Sequence, residues 1–169
     1  MKQLILTSIA VLLAVLATSL SMTGLSPADT EPLFQFPQSH LSIRTASGRV
    51  LHFNVWLADN PRRQEQGLMF VRDLEEHAGM MFVYPGSQRL TMWMKDTYIP
   101  LDMLFIDAQG PIDYIAPRAK PLSLDIISAP RPANAVIELK GGTVQRLGIH
   151  VGDLIVPETG VADHPAVPK

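Results

Sequence analysis

Asp102-Met103-Leu104-Phe105-Ile106-Asp107, then Ala108-Gln109-Gly110, then Pro111-Ile112-Asp113-Tyr114-Ile115, is the stretch on which the fold turns. Two short runs rich in aromatic and β-branched side chains flank a Gly-containing turn, a pattern that predicts a β-hairpin and is too short for a helix pair. Pro111 has no N–H to give a ladder, so its end of the hairpin belongs at an edge. The same punctuation repeats outward. Upstream, Gly79–Tyr84 reads as a buried strand and Pro85-Gly86-Ser87 as a turn. Leu90–Lys95 then reads as a strand with Leu90, Met92 and Met94 on one side and Thr91, Trp93 and Lys95 on the other. Leu41–Thr45 and Val50–Leu57 form a hairpin across Ala46-Ser47-Gly48-Arg49. Between these blocks, Asn60 as a cap, Pro61 at the first helical position and Gly67 past the end frame a short helix.

Downstream, residues 116–133 are proline-rich, with only Leu122–Ile127 expected to pair in a sheet. Asn134–Lys140 is a strand, Thr143–Leu147 a helical turn ended by Gly148, and Val151–Pro157 the last strand. Many short strands and one or two short helices predict a mainly β fold, a compact jelly-roll-like sandwich or distorted barrel.

That domain, residues 40–158, stands behind a leader in the 169-residue chain. Lys2 precedes an apolar run from Leu4 to Leu20, broken only by Thr7, Ser8, Thr18 and Ser19. Ser26-Pro27-Ala28 then offers small side chains for cleavage, with Ser19-Leu20-Ser21 as a competing place. Residues 1–28 are therefore expected to be a signal peptide, or an uncleaved anchor of membrane-spanning length. Either way the domain is expected in the periplasm or otherwise outside the cytoplasm. Residues 29–39, with Pro32 and Pro37, read as an extended linker on which Phe34 and Phe36 could dock. Residues 159–169 read as a flexible tail.

Composition removes whole classes of chemistry. With no cysteine there is no disulfide, thiolate metal site, iron–sulfur cluster or cysteine nucleophile. The 14 basic against 16 acidic residues, and basic residues no denser than Arg62-Arg63, argue against nucleic acid and against a polybasic membrane patch. The five histidines (His40, His52, His77, His150, His164) have no ligand spacing, so no zinc site is expected. No phosphate loop, nucleophile elbow or dinucleotide fingerprint occurs, and no cofactor is implied.

The densest constellation is Trp93-Met94-Lys95-Asp96-Thr97-Tyr98-Ile99-Pro100-Leu101-Asp102. Read for function, Lys95 binds an anion or carbonyl, Trp93 and Tyr98 stack, and Asp102 orients the ammonium. Read for architecture, Asp96 and Thr97 cap a turn and Lys95 pairs with Asp102. Trp93, Lys95, Asp96, Thr97, Asp102 and Glu138 are the candidate ligand-binding residues, with no catalytic residue assigned. The leading expectation is a non-enzymatic module for a small polar ligand, a glycan or an envelope protein. The alternative is a hydrolase or transferase using Lys95 with Asp102 or Glu138. A third reading starts from Met69, Met80, Met81, Met92, Met94 and Met103, whose thioethers suit Cu(I) in a thiol-free exported protein, although Met also fills irregular cores.

With these blocks in place, the chain resembles uncharacterised protein family 0127, the domain of unknown function 192, over about residues 40–157. The resemblance rests on Glu65-Gln66-Gly67-Leu68-Met69, Gly79-Met80-Met81-Phe82-Val83, Trp93-Met94-Lys95 leading to Ile99-Pro100-Leu101-Asp102, Pro132-Ala133 to Glu138-Leu139, and Gly148-Ile149 to Gly152-Asp153. It implies a mainly β, jelly-roll-like or barrel-like domain, often exported, and no known reaction. Where that family typically has Asn after the lysine, this chain has Asp96, an acceptor-only carboxylate in place of an amide.

Overall fold

The computed structural model describes residues 25–157. Most of the expected leader and the expected tail lie outside those residues. Among the described residues no helix is long and apolar enough to cross a membrane.

The elements are β1 (Gln38–Arg44), β2 (Val50–Ala58), α1 (Pro61–Gln66), β3 (Ala78–Gln88), β4 (Thr91–Met92), β5 (Leu101–Ile106), β6 (Ile112–Ala119), β7 (Ile127–Ser128), β8 (Ala133–Lys140), α2 (Thr143–Leu147) and β9 (Leu154–Pro157). Seven strands form one sheet in the order β6-β5-β8-β3-β2-β1-β9, and β4 pairs with β7 in a separate ribbon. Within the large sheet only β2 and β3 run parallel, joined through α1. The sheet curls until its edges approach, where Ile112 N–H donates to the Asp153 carbonyl and Ile155 N–H to that of Gly110, both at 2.9 Å. The fold is thus mainly β with few short helices, as expected. Its main body is one curled half-barrel instead of two stacked sheets.

Curling gives the sheet two buried faces, read off by strand alternation. Inside the curl lie Leu41, Ile43, Phe53, Val55, Leu104, Ile106, Ile137, Leu139 and Ile155, with Val144 and Leu147 of α2 packed against them. The outer face of β3, β8 and β5 carries Met80, Phe82, Val136, Met103 and Phe105. Met92 of β4 and the loop residues Leu68, Leu74, Leu90, Met94 and Ala129 cover that second face. Each large apolar side chain buried this way contributes about 1.5–3 kcal/mol.

Three local expectations need correction. Residues 29–39 are not an extended linker: Leu33–Gln35 is a 3-10 turn, Phe36 is 3% exposed, and β1 already begins at Gln38. The docking is driven by Phe36 entering the outer core and by Arg63 holding the Glu31 carboxylate at 2.8 Å. The strand expected over 90–95 is ordered as β4 for two residues only, because the chain turns at Asp96, whose φ of 53° is left-handed. Asp and Asn tolerate that conformation better than other side chains bearing a Cβ. The strand expected over 122–127 reduces to β7, and Leu122, Leu124 and Ile126 are exposed.

Strands β3 and β8 approach so closely at Gly79 that a Cβ there would lie 2.5 Å from the Glu138 carbonyl oxygen and 2.8 Å from Leu139 Cδ2. Backbone is the obstacle, so it cannot swing aside. Gly79→Ala is expected to lower stability by about 2 kcal/mol through forced strand separation, measurable as a lower urea midpoint.

Candidate functional site

Along β8 the side chains alternate between faces, which puts Glu138 on the outer face among apolar neighbours. Its register partners are Met80 on β3 and Met103 on β5, so the three form a row across the sheet with the carboxyl flanked by thioethers. Glu138 is 4% exposed. Burial pushes its carboxyl up to about 8, because the charged form has lost its hydration and gained no cation. Oε2 has no protein hydrogen-bond partner. At neutral pH the group is therefore a carboxylic acid, able to donate one hydrogen bond and accept others. Tyr84, on the same face of β3, has its hydroxyl pushed above the usual range by burial and secondly by the charge of Glu138.

The acid sits in a narrow pocket of about 20 Å³, enough for little more than one water. One wall is the end of α1 and the turn after it, from Gln64 to Met69; the others come from Phe82, Met92, Trp93, Lys95 and Thr97. Helix α1 forms because Asn60 Oδ1 accepts from Arg63 N–H at 3.1 Å and Pro61 starts the first turn. It stops at Gly67, whose φ of 50° suits glycine, and a Cβ at this position would come within 3.1 Å of the Phe82 ring. Gln66 then locks this wall to the N-terminal segment. Its Oε1 accepts from Glu31 N–H and its Nε2 donates to the Glu31 carbonyl, both at 2.7 Å.

Trp93 and Lys95 belong to the opposite wall. Trp93 is 41% exposed, and the Lys95 ammonium lies 5.3 Å from its ring centroid, a cation–π placement. Thr97 is buried, with its hydroxyl donating to the Lys95 carbonyl at 3.1 Å. Asp96 is the turn residue of this wall, its carbonyl accepting from Phe70 N–H at 2.8 Å. Nearby, Leu122 N–H donates to the Thr97 carbonyl and Met94 N–H to that of Ser123, so the exposed 122–126 loop adjoins this wall.

Of the six candidate residues, Trp93, Lys95, Thr97 and Glu138 line one pocket, and Asp96 turns the chain between them. Asp102 is elsewhere. It alternates onto the inner face of β5 with Leu104 and Ile106, fully buried, and accepts from Arg118 N–H at 2.8 Å, Gly142 N–H at 2.9 Å and Val144 N–H at 2.8 Å. The expected pairing of Lys95 with Asp102 therefore does not form. Instead the carboxylate supplies the cap that Gly142 cannot give to α2. Asp102 also borders an open groove of about 330 Å³ with Pro117, Arg118, Gly142, Val144 and Gln145, but its oxygens are already engaged by the three amides.

Gln66, Gly67 and Met92 line the pocket without having been singled out for it from sequence. Among the described residues no cluster of three or more His, Cys, Asp or Glu side chains could hold a metal ion.

Comparison with known proteins agrees with this architecture. No curated protein matches the chain. A crystal structure from Sinorhizobium meliloti 1021, described as a candidate transcription regulator, is 42% identical. The match covers 72% of this chain and 95% of that one, with a TM-score of 0.71. A protein of unknown function from Novosphingobium aromaticivorans DSM 12444 is 32% identical over 75% of this chain and 89% of its own, also with a TM-score of 0.71. The family model of the domain of unknown function 192, Uncharacterized ACR, matches residues 42–156. By that match, spanning more than half of its length, the chain belongs to the family of the domain of unknown function 192.

Proposed function

We propose that this protein is a non-enzymatic binding module that works outside the cytoplasm and recognises the polar tip of a small ligand or glycan at the Glu138 pocket. The observation that carries the reading is a buried, unpartnered carboxyl at the bottom of a pocket whose rim holds an exposed indole and an ammonium. A pocket of about 20 Å³ excludes a whole ligand and admits a carbonyl or hydroxyl oxygen. The protonated acid donates to that oxygen, Trp93 stacks on the body of the ligand outside, and Lys95 meets a second acceptor. Delivery across the membrane is supported by the Lys2 and Leu4–Leu20 leader pattern.

Nucleic acid is a poor fit for this surface, whatever a relative is described as. Four of the cations are engaged in ion pairs: Arg63 with Glu31 and Asp59, Arg131 with Asp113, Lys140 with Asp73 and Glu76, and Arg146 with Glu76. The 14 basic residues are outnumbered by 16 acidic ones, so the chain has no excess of cations to displace phosphate counterions.

A titration of the purified protein with N-methylacetamide and with glucose, followed at the Trp93 indole by NMR, tests the reading. Saturable shifts with one of the two are expected, weakened about tenfold by Trp93→Ala and abolished by Glu138→Leu. Absence of a saturable shift with either probe contradicts it. The second reading, a hydrolase, draws on Lys95 and Glu138 lining one pocket. It requires a turnover that Lys95→Ala abolishes in a folded protein.

A further inference from the structure

We propose that the outer face of the sheet carries a site for a soft monovalent cation, Cu(I), built from the thioethers of Met80, Met103 and Met92 with Glu138 as the anionic ligand. It goes beyond the recognition reading, with which it shares Glu138 but neither Lys95 nor Trp93. Met80, Glu138 and Met103 stand side by side in register, and Met92 of the covering ribbon packs in the same core cluster as the two methionines and lines one pocket with Glu138. Met69 lines the same pocket and Met94 packs in the same cluster, so thioethers stand near the acid beside the polar Gln66, Thr97 and Lys95 of the pocket walls.

Core-filling methionines need no acid among them, and a buried acid normally finds a hydrogen-bond partner. A thioether set with one carboxylate resolves both oddities. Thioethers are neutral, soft donors that bind Cu(I) without competing for protons, and one carboxylate makes the buried complex electrically neutral. Hard divalent cations need oxygen or imidazole sets that the described residues do not assemble. Binding is an exchange: Cu(I) takes the Glu138 oxygen and the carboxyl proton leaves to solvent, with no change of oxidation state. Lys95, Glu65 and Tyr84 are the other titratable groups at or near the pocket, and the Lys95 ammonium is drawn to the Trp93 ring at the rim.

The test titrates the purified chain with Cu(I) under ascorbate against a colorimetric Cu(I) chelator, and with Ag(I) as a redox-inert probe. One ion per chain is expected, with sulfur in the first shell by X-ray absorption. Met92→Leu with Met103→Leu, which conserve volume, should weaken binding at least tenfold while the thermal melt stays cooperative. Glu138→Gln, which removes the anionic ligand and keeps the shape, should also weaken binding at least tenfold. Trp93→Ala should leave cation affinity unchanged. No binding in competition with the chelator, a first shell of nitrogen or oxygen only, or affinity indifferent to the Leu pair overturns the site. Those results leave polar recognition standing, and loss of the amide and sugar shifts with Cu(I) binding intact overturns recognition alone.

Discussion

As pH rises from 4.5 to about 8 the protein is expected to lose stability, and Glu138→Gln to remove most of that loss. The sign follows from the raised carboxyl of Glu138, which ordinarily titrates at 4.5 and is held at about 8 by burial in the folded chain. Between those values the folded state keeps a proton that the unfolded state has released, so stability must fall with increasing pH. The favourable contribution is complete below 4.5 and gone above about 8. At 1.36 kcal/mol for each pH unit of that gap, the loss is on the order of 5 kcal/mol. Gln keeps the shape and carries no charge to desolvate. Denaturant midpoints measured across this range should therefore slope down for the natural chain and run nearly flat for Glu138→Gln, which becomes the more stable of the two in mild alkali. Equal slopes would mean that Glu138 is ionised in the fold. Tyr84 does not confuse the comparison, since its hydroxyl is raised further above 10 and titrates outside the window.

Asp102→Ala is expected to cost about 3–5 kcal/mol, the largest loss for any single side chain of the former candidate cluster. Three backbone amides, of Arg118, Gly142 and Val144, point at one buried carboxylate. Removing it strands all three away from water, at about 1–3 kcal/mol each before relaxation. The strand–helix junction at Gly142 would open first, since α2 has only five residues and no side-chain cap of its own. Asp102→Asn retains one acceptor oxygen and should fall between. Urea midpoints give the stabilities, and the Trp93 indole resonance checks the location of the effect. A role inside the sheet leaves that resonance in place at low denaturant, whereas a role in the Glu138 pocket moves it.

The contrast between these two acids shows what could be read from the chain before folding. Period-two alternation and Gly or Pro turns located seven of the nine strands near their places, and Asn60, Pro61 and Gly67 bounded α1 because caps act within a few residues. Curling into a single half-barrel is a long-range result. It depends on Gly110–Ile112 meeting Asp153–Ile155, a closure that no local pattern encodes. Phe36 was expected to be able to dock, but where it docks depends on Arg63 and Glu31, brought together only by the fold.

The candidate site divided for the same reason. Trp93, Lys95 and Thr97 are close in sequence and stay together, and Glu138 joins them across the sheet. Asp102, equally close in sequence, was lost to the opposite face by strand alternation on β5. Parity along Leu101–Ile106 would have revealed it, since Asp102 shares phase with Leu104 and Ile106. Glu138 carried its own mark, an acid between Ile137 and Leu139 in the apolar run that begins at Ala135. Its methionine flanks were not visible, because the register of β3 and β5 against β8 is set by tertiary pairing.

The central claim is that Glu138 stands protonated in a pocket of the folded protein at neutral pH. A carbon-13 NMR titration of the glutamate side-chain carboxyls, with the Glu138 resonance assigned by its disappearance in Glu138→Gln, measures this directly. A midpoint near 8 is the predicted result. A midpoint near 4.5 would show an ordinary solvated carboxylate and contradict it.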